Sequence, residues 1–133
     1  MARTNEDLEN YLQKLERRFE RVDDGTYLVS GGPNQPPIAL RVAPPVLVVQ
    51  VPIGPAPQGE TPREVRLFRR LLELNASDLL HAAYALEGGE IVLGAALELD
   101  NLDLNEIEAV LADLDVALVE HVPALHDMVQ NKA

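Results

Sequence analysis

The sequence predicts an α+β fold: one domain over residues 1–133, with an antiparallel sheet packed by helices in the order α-β-β-β-α-β-β-α. Three observations carry this prediction. Apolar residues recur at helical spacing in three stretches, and β-branched or aliphatic runs lie between them. Two helix starts carry a capping box, Thr61-Pro62-Arg63-Glu64 and Asp103-Leu104-Asn105-Glu106. Gly88-Gly89 stands between two aliphatic runs, where a tight hairpin needs two residues of positive φ.

The first helix starts at Thr4 or Asn5, with Glu6 and Asp7 in its first turn. Leu8, Tyr11, Leu12, Leu15, Phe19 and Val22 then form one apolar stripe, and Asp23-Asp24-Gly25 ends it. This spacing predicts a helix reaching Val22. Three strands follow: Tyr27 to Val29, Ile38 to Val42 and Val46 to Ile53. A loop over 31–37 and the Pro44-Pro45 pair separate them. Nine of the ten prolines fall between positions 33 and 62. Proline donates no ladder hydrogen bond, so Pro44, Pro45 and Pro52 are expected at strand ends, bulges or a free edge. An extended linker, Gly54 to Gly59, leads to the second helix.

That second helix has an unusual balance. Val65, Leu67, Phe68, Leu71, Leu72 and Leu74 spread over about half its circumference, while Arg63, Arg66, Arg69, Arg70 and Glu73 fill the rest. Packing on one sheet requires less, so the helix is expected either in a cleft or at a subunit interface. The strands Ala82 to Leu86 and Ile91 to Leu99 flank the Gly-Gly turn, and Gly94 predicts a bulge or a close approach by a helix. The last helix buries Ile107, Val110, Leu111, Leu114, Leu118, Val122 and Leu125. Pro123 should make it kink or restart near 119–122, and the tail 130–133 should fray.

Composition excludes more than it assigns. The 133 residues are 47% apolar with five aromatics, enough for an aliphatic core. No cysteine is present, which removes disulfides, thiolate metal sites and cysteine nucleophiles. The net charge of −11 is uneven: residues 1–66 carry 8 basic and 9 acidic side chains, residues 67–133 carry 3 and 13. Such a surface repels nucleic acid and anionic lipid and favours solubility or basic partners. The amino end has no apolar core like that of a signal peptide, and the longest apolar run is far short of a membrane span, so a cytoplasmic protein is expected.

No catalytic, cofactor or metal site is expected either. His121 and His126 stand five apart, about 140° around a helix, which is no metal-binding pair. Asn101, Asp103 and Asn105 resemble a calcium loop until the glycine and glutamate positions, filled by Glu106 and Ala112, fail it. Ser30 and Ser77 sit in no nucleophile elbow, and no phosphate-binding glycine loop exists. A small-ligand site would need a deep polar pocket around His81 or His121.

The run LLELNASDLLHAAYALEGGEIVLGAALELDNLDLNEIEAVLADL, Leu71 to Leu114, resembles the class I type III secretion chaperone superfamily, in particular its CesT/Tir-chaperone and YbjN-like branch. Its matching features are the Leu-Asn helix end, Tyr84-Ala85-Leu86, the acidic Gly-Gly turn, Ile91-Val92-Leu93, and Leu102-Asp103 before the final helix. The resemblance implies a small acidic bacterial protein that forms a homodimer and acts without catalysis. It would hold an extended segment of a partner protein, such as the chaperone-binding segment of a secreted effector. Carried over by position, Val65, Phe68 and Leu72 of helix two, with Ile91, Leu93, Ala95 and Leu97 of the following strand, would form the dimer or partner surface. The alternative is a YbjN-like regulatory protein that binds a folded cytosolic partner.

Overall fold

In the computed structural model, which describes residues 2–31 and 35–130, α1 spans Asn5–Lys14 and is followed by β1, Phe19–Asp23, and β2, Thr26–Val29. Next come β3 (Ile38–Ala43), β4 (Val46–Pro55), α2 (Pro62–Ser77), β5 (Ala83–Glu87), β6 (Glu90–Glu98), α3 (Leu104–Glu120) and α4 (Val122–Gln130). Part of the 31–37 loop and the tail beyond 130 lie outside the described residues. All six strands join one antiparallel sheet in the order β1-β2-β3-β4-β6-β5. The fold is α+β, as expected, with one strand more before the second helix.

The extra strand corrects the first helix. Thr4 caps α1 in a full capping box with Asp7, but the helix stops at Lys14 and the chain turns through Glu16 at φ 58°. Phe19 to Val22 do not continue the stripe. Phe19 pairs opposite Val29 and meets Tyr27 edge-to-face at 5.9 Å, while Val22 is exposed. The spacing from Leu15 to Val22 imitated a helix, and cross-strand pairing with β2 overrides it.

Elsewhere the local signals hold. Both predicted capping boxes form. Gly88 and Gly89 take φ 58° and 80°, as the tight hairpin requires. Pro44-Pro45 makes the β3–β4 turn, and Pro52 lies beyond the last β3 partner of β4, at Gln50, beside the register shift at 52–54. Its missing N–H is therefore never asked for. Gly94 departs from expectation: a Cβ there would stand 2.6 Å from the Val49 carbonyl, so the close approach is by the neighbouring strand β4 and not by a helix. The final helix restarts as α4 once His121 has capped α3.

Leu40, Leu47, Val49, Val51 and Leu93 from the sheet meet Leu8, Leu12, Leu67, Leu71, Ile107, Leu111 and Leu114 from the helices in one apolar cluster. By strand alternation the opposite sheet face shows Arg41, Pro52, Ala96 and Glu98, all exposed.

Candidate partner-binding surface

Helix α2 presents three faces. Leu67, Leu71 and Leu74 are buried in the core. One flank is basic, with Arg66, Arg69 and Arg70 exposed; Arg69 and Arg70 reach Glu73 only at 3.9 Å. The other flank is apolar and open: Val65 is 53% and Leu72 69% exposed, with Phe68 half-buried between them. The entry to this helix is held tightly. The Glu64 carboxylate accepts from the backbone N–H groups of Gly59, Glu60 and Thr61 at 3.0, 2.9 and 3.4 Å. Gly59, at φ 81°, lets the linker close on the Phe68 ring, because a Cβ there would lie 2.9 Å from Phe68 Cε2.

The apolar flank continues onto the sheet edge. Phe68, Leu71 and Leu72 face Tyr84, Ala85 and Leu86 across a groove of about 170 Å³, and Leu86 is 57% exposed. In the two-residue hairpin, Glu87 and Glu90 form the closing pair, so the backbone groups of Ala82, Tyr84 and Leu86 point away from β6. Three of these six groups are occupied, both of Tyr84 and the N–H of Ala82. The Asn75 side chain accepts the Tyr84 N–H at 2.7 Å and donates to the Tyr84 carbonyl at 3.1 Å. The Asp113 carboxylate accepts the N–H groups of Leu80, His81 and Ala82, the last two at 2.9 Å. At the other edge β1 pairs only with β2 among the described residues, and Glu20 to Asp23 are exposed.

Behind the groove His121 joins three elements. Its Nε2 stands 3.0 Å from Asp78 Oδ2 and its Nδ1 3.1 Å from the Tyr84 hydroxyl. A carboxylate only accepts, so Nε2 donates to Asp78; the tautomer that carries its proton there leaves Nδ1 to accept a hydrogen bond from the Tyr84 hydroxyl. Hydrogen bonds from Ser77 and then His121 hold the Asp78 carboxyl below its usual range, and burial pushes the Tyr84 hydroxyl up. His121 is thus a buried structural link. His81 and His126 are exposed, and no group of three or more metal-binding side chains occurs among the described residues.

The surface expected from sequence divides in two. Val65, Phe68 and Leu72 lie together on the open flank. Ile91 and Leu93 are buried in the core, with Ala95 and Leu97 partly buried against it. This strand therefore spends its aliphatic side on its own helices. Leu86, Asn75 and Asp113, which complete the edge, carried no signal of their own beyond ordinary strand and helix-end residues.

The CesT_Tir_1 family model matches residues 1–131. The chain belongs to the CesT_Tir_1 family. Three solved structures place this member's fold. A chain of the heterodimeric ExoU–SpcU complex from the type III secretion system of Pseudomonas aeruginosa aligns with TM-score 0.66 at 20% identity, over 87% of this chain and 95% of that one. A chain of the HopA1–SchA chaperone–effector complex aligns with TM-score 0.58 at 14% identity, over 90% of each. YbjN from E. coli, provisionally assigned to transcription regulation, aligns with TM-score 0.57 at 13% identity, over 97% of this chain and 90% of that one. Among curated proteins no sequence matches. Within this CesT_Tir_1 fold, no described helix is long and apolar enough to cross a membrane.

Proposed function

We propose that this chain is a single-domain, non-enzymatic, cytoplasmic binding module that forms a homodimer and holds an extended segment of a partner protein, as a secretion chaperone does. The observation that carries the reading is the contiguous apolar flank Val65–Phe68–Leu72, continued by Leu86. Scattered exposed leucines need no explanation, whereas a connected patch beside a groove asks for a cover. A two-fold pairing of this flank with its copy would supply one. The extended segment would then add to β1, because Asn75 occupies the outward groups of Tyr84 in the middle of β5 and Asp113 the N–H of Ala82 just before it. Support comes from the family membership and from relatives of the same fold found in chaperone–effector complexes.

The alternative is a YbjN-like regulator acting on a folded cytosolic partner, favoured by the alignment with YbjN over 97% of this chain. A pull-down from native lysate separates the two. An exported protein held by a protease-sensitive, non-globular segment supports the chaperone reading, and a folded cytosolic protein supports the regulator. A strict monomer at high micromolar concentration, with Phe68→Glu changing nothing, would sink the dimeric part.

A further inference from the structure

We infer that the outer face of α3 and the corner at Leu15–Arg18 form a second docking groove. Its occupant is an amphipathic helical segment of a partner protein with lysine or arginine on its flanks. The inference rests on the reading of the chain as a partner-holding module and adds the chemistry of what it holds.

Helix α3 is apolar on both sides. Its inner side buries Ile107, Val110, Leu111, Leu114 and Leu118. Its outer side carries Ala109, Ala112, Val116 and Val119, which recur three and four residues apart and so share one face. Val116 is 51% and Val119 61% exposed. A second apolar stripe on the side opposite the buried one is a connected exposed patch of the kind that marks an interaction site. The stripe also borders a depression instead of standing proud. A cavity of about 510 Å³ runs between Leu15 and Arg17 on one wall and Asn105, Glu108, Ala109 and Ala112 on the other. A second, about 410 Å³, is walled by Arg17, Arg18, Ser30, Asp115 and Val119. The two share Arg17, which donates to both oxygens of Asp115 at 3.3 and 2.6 Å.

Shape and charge select the occupant. From Ala109 to Val119 the stripe runs about 15 Å, nearly three helical turns. A helix wall has no free backbone donors along its side, so a strand laid here would leave its own groups unpaired. Packing a second helix on the stripe avoids that cost, and Ala109 and Ala112 allow a close approach. The sequence has no lysine or arginine between Arg70 and Lys132. Glu108 and Glu120 bracket the stripe, Glu16 stands on the opposite wall, and none has an ion-pair partner among the described residues. Arg17 is committed to Asp115, leaving Arg18 as the uncommitted cation on these walls. Cations at both ends of an apolar helix complement this arrangement.

The test uses two labelled synthetic helices of about 18 residues, five turns long, with the same Leu/Ala stripe and either lysine or glutamate on the flanks. Fluorescence anisotropy with the full chain should show binding of the lysine peptide, weakened by added salt, and little binding of the glutamate peptide. Val116→Asn with Val119→Asn, which removes apolar contact without adding charge, should weaken the lysine peptide by about tenfold or more. Glu108→Lys with Glu120→Lys should reverse the preference, and Leu72→Glu should leave it unchanged. Unaltered melting temperatures confirm folding, and the charge-swapped pair provides an independent variant. Failure of both peptides to bind would overturn the inference. So would equal binding of the two, or loss of binding on Leu72→Glu alone. It is also overturned if the valine variants abolish self-association in sedimentation, since a second copy would then cover the stripe. Because Leu72→Glu reads the dimer and the peptides read the α3 groove, failure of the proposed function and failure of this inference give different results.

Discussion

Leu72→Ala tests the α2 flank most directly. Fully burying a leucine side chain is worth about 1.5–3 kcal/mol. Leu72 is 69% exposed in the single chain, so covering it by a partner offers about 1–2 kcal/mol per copy. In a two-fold interface the substitution appears twice, which brings the loss to about 2–4 kcal/mol. That corresponds to a dissociation constant raised about 30- to 1000-fold. Sedimentation velocity over a concentration series measures it. The melting temperature of the dissociated chain should stay close to wild type, because Leu72 adds little to the core of one copy. Val119→Ala, on the remote face of α3, serves as the control and should leave the dimer constant alone. An unchanged constant for Leu72→Ala, or an equal shift for Val119→Ala, would refute the assignment of the dimer to this flank.

Asn75→Ala should open the β5 edge by removing both bonds to Tyr84, at a cost of about 1–2 kcal/mol, with concentration-dependent aggregation by light scattering as the second sign. Gly94→Ala should lower stability by about 1–3 kcal/mol in urea titration, since its Cβ meets the Val49 carbonyl. Gly54→Ala, where a Cβ would meet nothing within 4 Å, should cost little by the same measurement. The Tyr27 hydroxyl, pushed from 10.0 to about 12 by burial and its bond to Glu9, stabilises the fold fully below pH 10 and loses that contribution as pH rises through 12. Circular dichroism against pH should therefore show alkaline unfolding in that window, reduced in Tyr27→Phe. Asp78 works in the opposite sense: its lowered pKa adds stability above the ordinary 3.8 that is lost as pH falls further, and Asp78→Asn should flatten that acid limb.

The readable parts of this chain are those decided locally. Thr61 to Glu64 and Asp103 to Glu106 satisfy their own helix ends, and Gly88-Gly89 sets its own hairpin, so each signal lies within four residues. Strand β1 was not readable, because Phe19 takes its place from Tyr27 and Val29, across a turn the helical spacing ignores. The open flank of α2 was legible as excess apolar width. The β6 half of the expected surface was not, since alternation shows that a strand has two faces without saying which one the helices cover. The roles of Asn75 and Asp113 are set by partners outside their own segments. Asn75 meets Tyr84 nine residues on, and Asp113 meets the 80–82 backbone more than thirty residues back.

Sheet order adds a constraint to the functional proposal. β1 and β5 are the two ends of the six-stranded sheet, so their edges cannot be served by one neighbour on one side. The α2 flank and Leu86 adjoin the β5 end, while Arg17 and Arg18 connect the β1 end to the outer face of α3. A dimer built on the α2 flank therefore leaves both β1 edges and both α3 grooves free. An extended segment added to β1 would run beside the corner at Leu15–Arg18, and a helix next in that partner's sequence would reach the α3 groove without crossing the dimer contact. The economical client is then a segment with a strand and a basic amphipathic helix in tandem. Each copy would hold one such segment, and neither site would need the dimer to open.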